Sequence, residues 1–125
     1  MHSQKEKERL LDVLEQYQKH ALLVEGKRDA QAMNAFGFSR VFILNVHRGS
    51  LRERVERIAA SLHKKEDLCL LFDNDAAGRR LIAQCAPILR ELGFRIDQTL
   101  RRELINAGLS HIEGVSTFVE HHSRR

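Results

Sequence analysis

Leu68-Cys69-Leu70-Leu71-Phe72-Asp73-Asn74-Asp75-Ala76-Ala77-Gly78 is the stretch on which the reading of this chain turns. An unbroken apolar run closes on an Asp-x-Asp pair, then small residues, Gly78 and two arginines. A run of this length reads as a strand buried on both faces, as in a parallel sheet. Residues at i and i+2 on a strand share a face, so Asp73 and Asp75 can point the same way. Two carboxylates that close repel, and a hard cation between them removes the repulsion. The alternative is plain: Asp suits the N-cap of the helix that follows. This stretch alone leaves both open.

Working outward, the same strand-then-helix grammar recurs. Ala21-Leu22-Leu23-Val24 is a short buried strand followed by Glu25-Gly26-Lys27-Arg28-Asp29. A helix is predicted from about Arg28 to Phe36, closed by Gly37. Val41-Phe42-Ile43-Leu44 is another strand, and the capping box Ser50-x-x-Glu53 starts a helix at Leu51 with Leu51, Val55, Ile58 and Leu62 inward. The helix after the Asp-x-Asp pair is expected to bury Leu81, Cys85, Ile88 and Leu92 and to kink near Ala83 because of Pro87. Phe94 to Asp97 reads as an edge strand and Thr99 to Ala107 as a helix closed by Gly108. A first helix spans Ser3 to Lys19, its apolar stripe built on Leu10, Leu11, Leu14 and Tyr17. Val115 to Val119 is expected to form a short helix or strand, and His121 to Arg125 to fray.

Strands alternating with helices imply right-handed crossovers and a parallel sheet covered on both faces. The expected fold is α/β, with a four-stranded, mainly parallel sheet in the order 2-1-3-4. In such sheets the site lies beyond the carboxyl ends of strands where the order switches direction. Glu25 and the Asp73–Asp75 pair then end neighbouring strands, and capping does not explain Glu25. Asp29, in a first helical turn, is explained by the helix dipole alone.

The chain has 125 residues, 42% of them hydrophobic and 30% charged, which fits one globular domain. Within it we expect an N-terminal helix over residues 1–20, a core over 21–97, and a C-terminal helix and tail over 98–125. No apolar run suits a membrane span and the polar N-terminus does not read as a signal peptide, so a cytoplasmic protein is expected. Cys69 and Cys85, isolated in apolar patterns, read as buried reduced thiols. The formal net charge of +4 permits a polyanionic partner.

With Val24-Glu25-Gly26-Lys27-Arg28-Asp29 and Phe72-Asp73-Asn74-Asp75 on matching strand ends, and Gly78 after them, the chain resembles the Toprim family. That is the catalytic domain of topoisomerases, bacterial-type primases, certain nucleases and a ribosomal-RNA-maturing ribonuclease. The likeness covers about Ala21 to Asp97 and is nearest to small stand-alone Toprim proteins. It implies a three-layer, Rossmann-like fold and Mg2+ bound by Asp73 and Asp75, as one or two ions that Mn2+ can replace. Glu25 would be a general acid/base or a further ligand, and Asp29 an auxiliary acid. Lys27, Arg28, Arg48, Arg79 and Arg80 lie near these strand ends, where phosphate contact or a solvated face is open to each. The implied activity is nuclease-like hydrolysis of RNA or DNA. Its alternatives are a non-enzymatic Mg2+-holding module that binds RNA or protein, and an aspartyl-nucleophile phosphatase. A protein partner or a homodimer also fits the stand-alone members.

Overall fold

The computed structural model describes residues 4–63 and 66–115. Its centre is a four-stranded sheet made of β1 (Ala21–Val24), β2 (Val41–Ile43), β3 (Asp67–Leu71) and β4 (Arg95–Asp97), ordered β2-β1-β3-β4. Every pairing is parallel, with Val24 opposite both Ile43 and Leu71, and Cys69 opposite Asp97. β1 and β3 are central, which is why these two are the continuous apolar runs.

The period-2 alternation of the central strands divides the core in two. Leu22, Val24, Cys69 and Leu71 face one side, where α1 (Gln4–Gln16), α2 (Lys27–Ala35) and α5 (Thr99–Asn106) cover them with Leu10, Leu14, Met33, Leu100 and Leu104. Ala21, Leu23, Leu68, Leu70 and Phe72 face the other, against Val55 and Ile58 of α3 (Leu51–Ala60) and Cys85 and Leu89 of α4 (Ala76–Glu91). Burying each Leu or Ile contributes roughly 1.5–3 kcal/mol, so these two layers dominate the fold's stability. Burial also pushes the thiols up, Cys69 to about 12 and Cys85 to about 11, so both stay protonated at neutral pH. Across the sheet end, the Tyr17 hydroxyl donates to Asp97 Oδ2 at 2.7 Å and ties the end of α1 to β4.

Local expectations hold where a specific chemical cue set them. Both halves of the α3 capping box are made: Glu53 N to Ser50 Oγ at 3.1 Å and Ser50 N to Glu53 Oε1 at 2.8 Å. Gly37 and Gly108 follow α2 and α5 with φ of 113° and 89°, the left-handed conformation a glycine C-terminal signal requires.

Boundaries shift where the cue is only apolar pattern. β2 stops at Ile43, and Leu44–Val46 turn into a 3₁₀ helix. α1 ends at Gln16, leaving Tyr17 in a turn. The inward face of α4 is corrected in part. Cys85 is buried and Leu81 and Ile88 pack partly buried against the same layer, as expected, but Gly78, Ala86 and Leu89 are buried too, while Leu92 lies just past the helix end and is 38% exposed. Apolar residues fall on more than one side of this helix, so periodicity did not single out the packed stripe. Pro87 lies inside α4 without dividing it. Past α5 the chain makes a 3₁₀ turn at Ile112–Gly114, with Ile112 and Val115 buried in the α1–α2–α5 layer. The expected frayed end, and the expected element from Val115 onward apart from Val115 itself, lie outside the described residues.

Candidate metal centre

Asp73 and Asp75 sit in the short turn between β3 and α4, at the carboxyl edge of the sheet. Asp75 is the N-cap of α4: its Oδ1 accepts from Gly78 N at 2.8 Å. Capping is therefore real, but it uses one carboxylate oxygen and leaves the other. Asp73 has a different support. Its Oδ1 accepts from Ile112 N at 2.8 Å, and its Oδ2 lies 3.1 Å from His111 Nδ1.

The backbone of this turn is held as well. Asn74 N donates to Ser110 O at 2.7 Å. Arg101 donates from Nε to Phe72 O at 2.9 Å and from Nη2 to Asp73 O at 3.3 Å. Gly78 closes the turn because nothing larger fits: a Cβ there would lie 1.9 Å from Asp73 O. The small residue after the acid pair is thus a packing requirement at the start of α4.

Glu25 occupies the corresponding place after β1, one residue beyond the Val24–Leu71 pair. Its carbonyl accepts from Asn45 N at 3.0 Å. Asp29 stands four residues after Glu25, in the first turn of α2. Its pKa is raised, first by burial, against which the Gly26 N–H pulls it down; the carboxylates of Asp73, Glu113 and Glu25 then push it further up. The sequence-predicted acids from both strand ends therefore share one field. The Gly26 N–H reaches Asp29 Oδ2 at 3.4 Å, so Asp29 also serves the start of α2.

Among the described residues, the group whose donor atoms come close enough for one cation is Asp73, Asp75 and His111, with one ligand atom of each within 4.8 Å of the others. Glu25 is not in that group. Nothing in the sequence pattern singles out His111 or Arg101. Neither carries a local motif; both reach the turn from after β4, and only the tertiary fold reveals them. The hydrogen bond to Asp73 is the first cause that raises the His111 pKa, with the charges of Asp73, Asp75 and Glu113 adding to it. The donor set fits a divalent cation: two carboxylates and an imidazole, in which a cation would take the place of the proton shared by His111 Nδ1 and Asp73 Oδ2.

The predicted basic residues surround this edge unevenly. Lys27 and Arg28 open α2, and Arg79 and Arg80 are the fourth and fifth residues of α4, all exposed. Arg79 Nη1 approaches Asn74 Oδ1 at 3.4 Å. Burial lowers the Arg101 pKa, and the nearby Arg79 charge lowers it further, so two guanidinium groups flank the acids. Arg48 lies in the loop after β2, exposed, with its carbonyl bonded to the Arg57 guanidinium.

Comparison with known proteins follows the same lines. A family model for the Toprim domain matches residues 20–99, which contain all four strands. A UPF0292 protein of Methanocaldococcus jannaschii is 29% identical over 121 residues, covering 90% of this chain and 91% of its own. A solved protein structure from Aquifex aeolicus superposes with a TM-score of 0.71 at 29% identity, covering 85% of this chain and 94% of that one. No helix among the described residues is long and apolar enough to cross a membrane.

Proposed function

The chain belongs to the Toprim family, whose domains generally bind Mg2+, and from that premise we propose a Mg2+-dependent enzyme that hydrolyses phosphodiester bonds of RNA or DNA. Asp73 and Asp75 hold the cation, as one or two ions with Mn2+ able to substitute, and Glu25 moves a proton. The observation that carries the proposal is the Asp73, Asp75 and His111 donor group at the end of β3, with Glu25 ending the adjacent strand β1. A bound Mg2+ supplies charge against a phosphodiester in transit and lowers the pKa of a coordinated water.

The chain's own residues do the rest. Backbone N–H groups fix Asp73 and Asp75 before any ion arrives, so little ordering remains to be done on binding. The Glu25 carboxylate makes no hydrogen bond among the described residues and can take a proton from an attacking water or return one to a leaving oxygen. Asp29, its pKa raised first by burial and then by the neighbouring carboxylates, is an auxiliary acid beside it. Arg101 and Arg79 flank the acids, where guanidinium groups suit phosphate oxygens. Lys27, Arg28, Arg80 and Arg48 extend that positive rim along the path a nucleic-acid backbone would take.

The test is a panel of single- and double-stranded RNA and DNA incubated with Mg2+, Mn2+ or EDTA. Cleavage that needs the metal and disappears in Asp73→Asn is the expected result. Metal-stimulated binding without cleavage of any substrate would replace the enzyme by a module that docks nucleic acid.

A further inference from the structure

We propose that His111 is itself a ligand of this site and shifts its preference from Mg2+ toward a first-row transition cation such as Mn2+. This rests on the metal-holding reading above and adds the identity of the ion. His111 lies beyond residues 20–99, so the family match does not carry it.

The backbone delivers the imidazole. On one side of His111, Ser110 O accepts from Asn74 N at 2.7 Å; on the other, Ile112 N donates to Asp73 Oδ1 at 2.8 Å. Ile112 and Val115 anchor this segment in the hydrophobic layer. The histidine is thus bracketed by two main-chain bonds to the acid turn, although its ring is 60% exposed at the solvent side.

The donor atoms match one ion. His111 Nδ1 and Asp73 Oδ2 are 3.1 Å apart. Neighbouring ligands at right angles on an ion with metal–donor distances of about 2.1 Å are separated by about 3.0 Å. Both atoms can therefore bind one cation with the main chain unmoved. Ile112 N and Gly78 N already occupy the other oxygen of Asp73 and one of Asp75, so Asp73 gives Oδ2 and Asp75 its second oxygen, and the proton between His111 Nδ1 and Asp73 Oδ2 leaves as the cation enters. The resulting set is two carboxylate oxygens and one imidazole nitrogen. Mg2+ prefers oxygen ligands and keeps its waters, whereas imidazole adds affinity for transition cations.

The experiment follows Mn2+ binding to the full chain by EPR, with Mg2+ as competitor, in the wild type, His111→Ala and His111→Gln. Bound Mn2+ in the wild type should show nitrogen hyperfine coupling, and both variants should lose it. Mn2+ affinity should fall about tenfold or more in both, and Mg2+ affinity by less than about threefold. Gln can still donate to Asp73, so full recovery of Mn2+ affinity in His111→Gln would show that the histidine only orients that carboxylate, overturning the proposal. Absence of nitrogen coupling on wild-type Mn2+, or equal weakening of both ions in His111→Ala, would overturn it too. A wild type that binds neither ion would overturn the metal reading beneath it as well.

Discussion

The two strand-to-helix turns of the site, Val24 to Asp29 and Phe72 to Gly78, look alike in sequence and differ in how they are held. Each follows a central strand, carries an acid at its start and leads into a helix. The second is clamped on every side. Its amide bonds Ser110, its carbonyls take Arg101, its leading carboxylate is fixed by Ile112 N, and Gly78 packs against its backbone. The first has one long-range main-chain bond, from Asn45 N to Glu25 O, and open space around Gly26. A cation site needs donors fixed before the ion arrives, whereas a group that moves a proton needs room to change partners. The difference in support is thus the physical basis for giving the aspartates and Glu25 different tasks.

The largest effect should come from the glycines. In Gly78→Ala the new methyl would meet Asp73 O at 1.9 Å and Asp73 C at 2.8 Å, backbone atoms that cannot step aside alone. We expect a loss of about 4 kcal/mol or more, far beyond the roughly 1 kcal/mol an alanine gains in a helix. Gly26→Ala meets nothing within 4 Å, and its φ of −135° is open to any residue. There the entropy gain and the weaker N-cap should nearly cancel, within about 1 kcal/mol of wild type. Urea unfolding of the pair measures the contrast, and a wild-type midpoint for Gly78→Ala would remove the clamp from the argument.

Function should split along the same line. Asp73→Asn keeps an oxygen for Ile112 N but loses the charge, so it should abolish the thermal shift produced by Mg2+. In the wild type that shift corresponds to about 2.7 kcal/mol when the ion is present at 100 times its Kd. Glu25→Gln should retain most of the shift while single-turnover cleavage falls about a hundred- to ten-thousand-fold. Equal loss of Mg2+ binding in both variants would make Glu25 a ligand and erase the functional side of the comparison.

How far these turns could be read in the sequence follows from the range of the interactions. The central strands and the acid-bearing ends were legible because each depends on local pattern: apolar runs, the Ser50–Glu53 box and glycines after helices; the order 2-1-3-4 followed from the doubly wound plan of alternating strands and helices. That order drew Glu25, Asp73 and Asp75 to one edge before the family resemblance assigned them roles, and the register of β1 on β3 supports the adjacency. What stayed hidden were the partners that come from far along the chain. His111 is 38 residues from Asp73, and Arg101 is 29 from Phe72, with neither in a motif of its own. Their presence is set by how α5 and the following 3₁₀ turn pack on α2 and β3, a tertiary outcome. The misplaced end of the α4 stripe has the same origin, since Leu89 rather than Leu92 is buried in the packed layer with Phe72 and Val55.

The smallest expected effect probes the field that the two turns share. Asp29 stands above its ordinary value of 3.8 through burial first, with Asp73, Glu113 and Glu25 adding to the shift. A carboxyl raised on folding binds more protons in the folded chain than in the unfolded one, so its contribution to stability falls as pH rises. The penalty is absent below 3.8, grows between that value and the raised folded value, and persists at neutral pH. Asp29→Asn should remove it, with a gain under about 1 kcal/mol at pH 7 because the group is partly solvated. At pH 3 the gain should vanish. Comparing the same variant at the two pH values cancels any difference in helix propensity or shape between Asp and Asn. Mg2+ should shrink the gain at pH 7, because a cation on Asp73 and Asp75 neutralises part of the field that Asp29 feels. A stability difference that is independent of pH would mean that the two turns do not share a field, and one that is independent of Mg2+ would place the ion elsewhere.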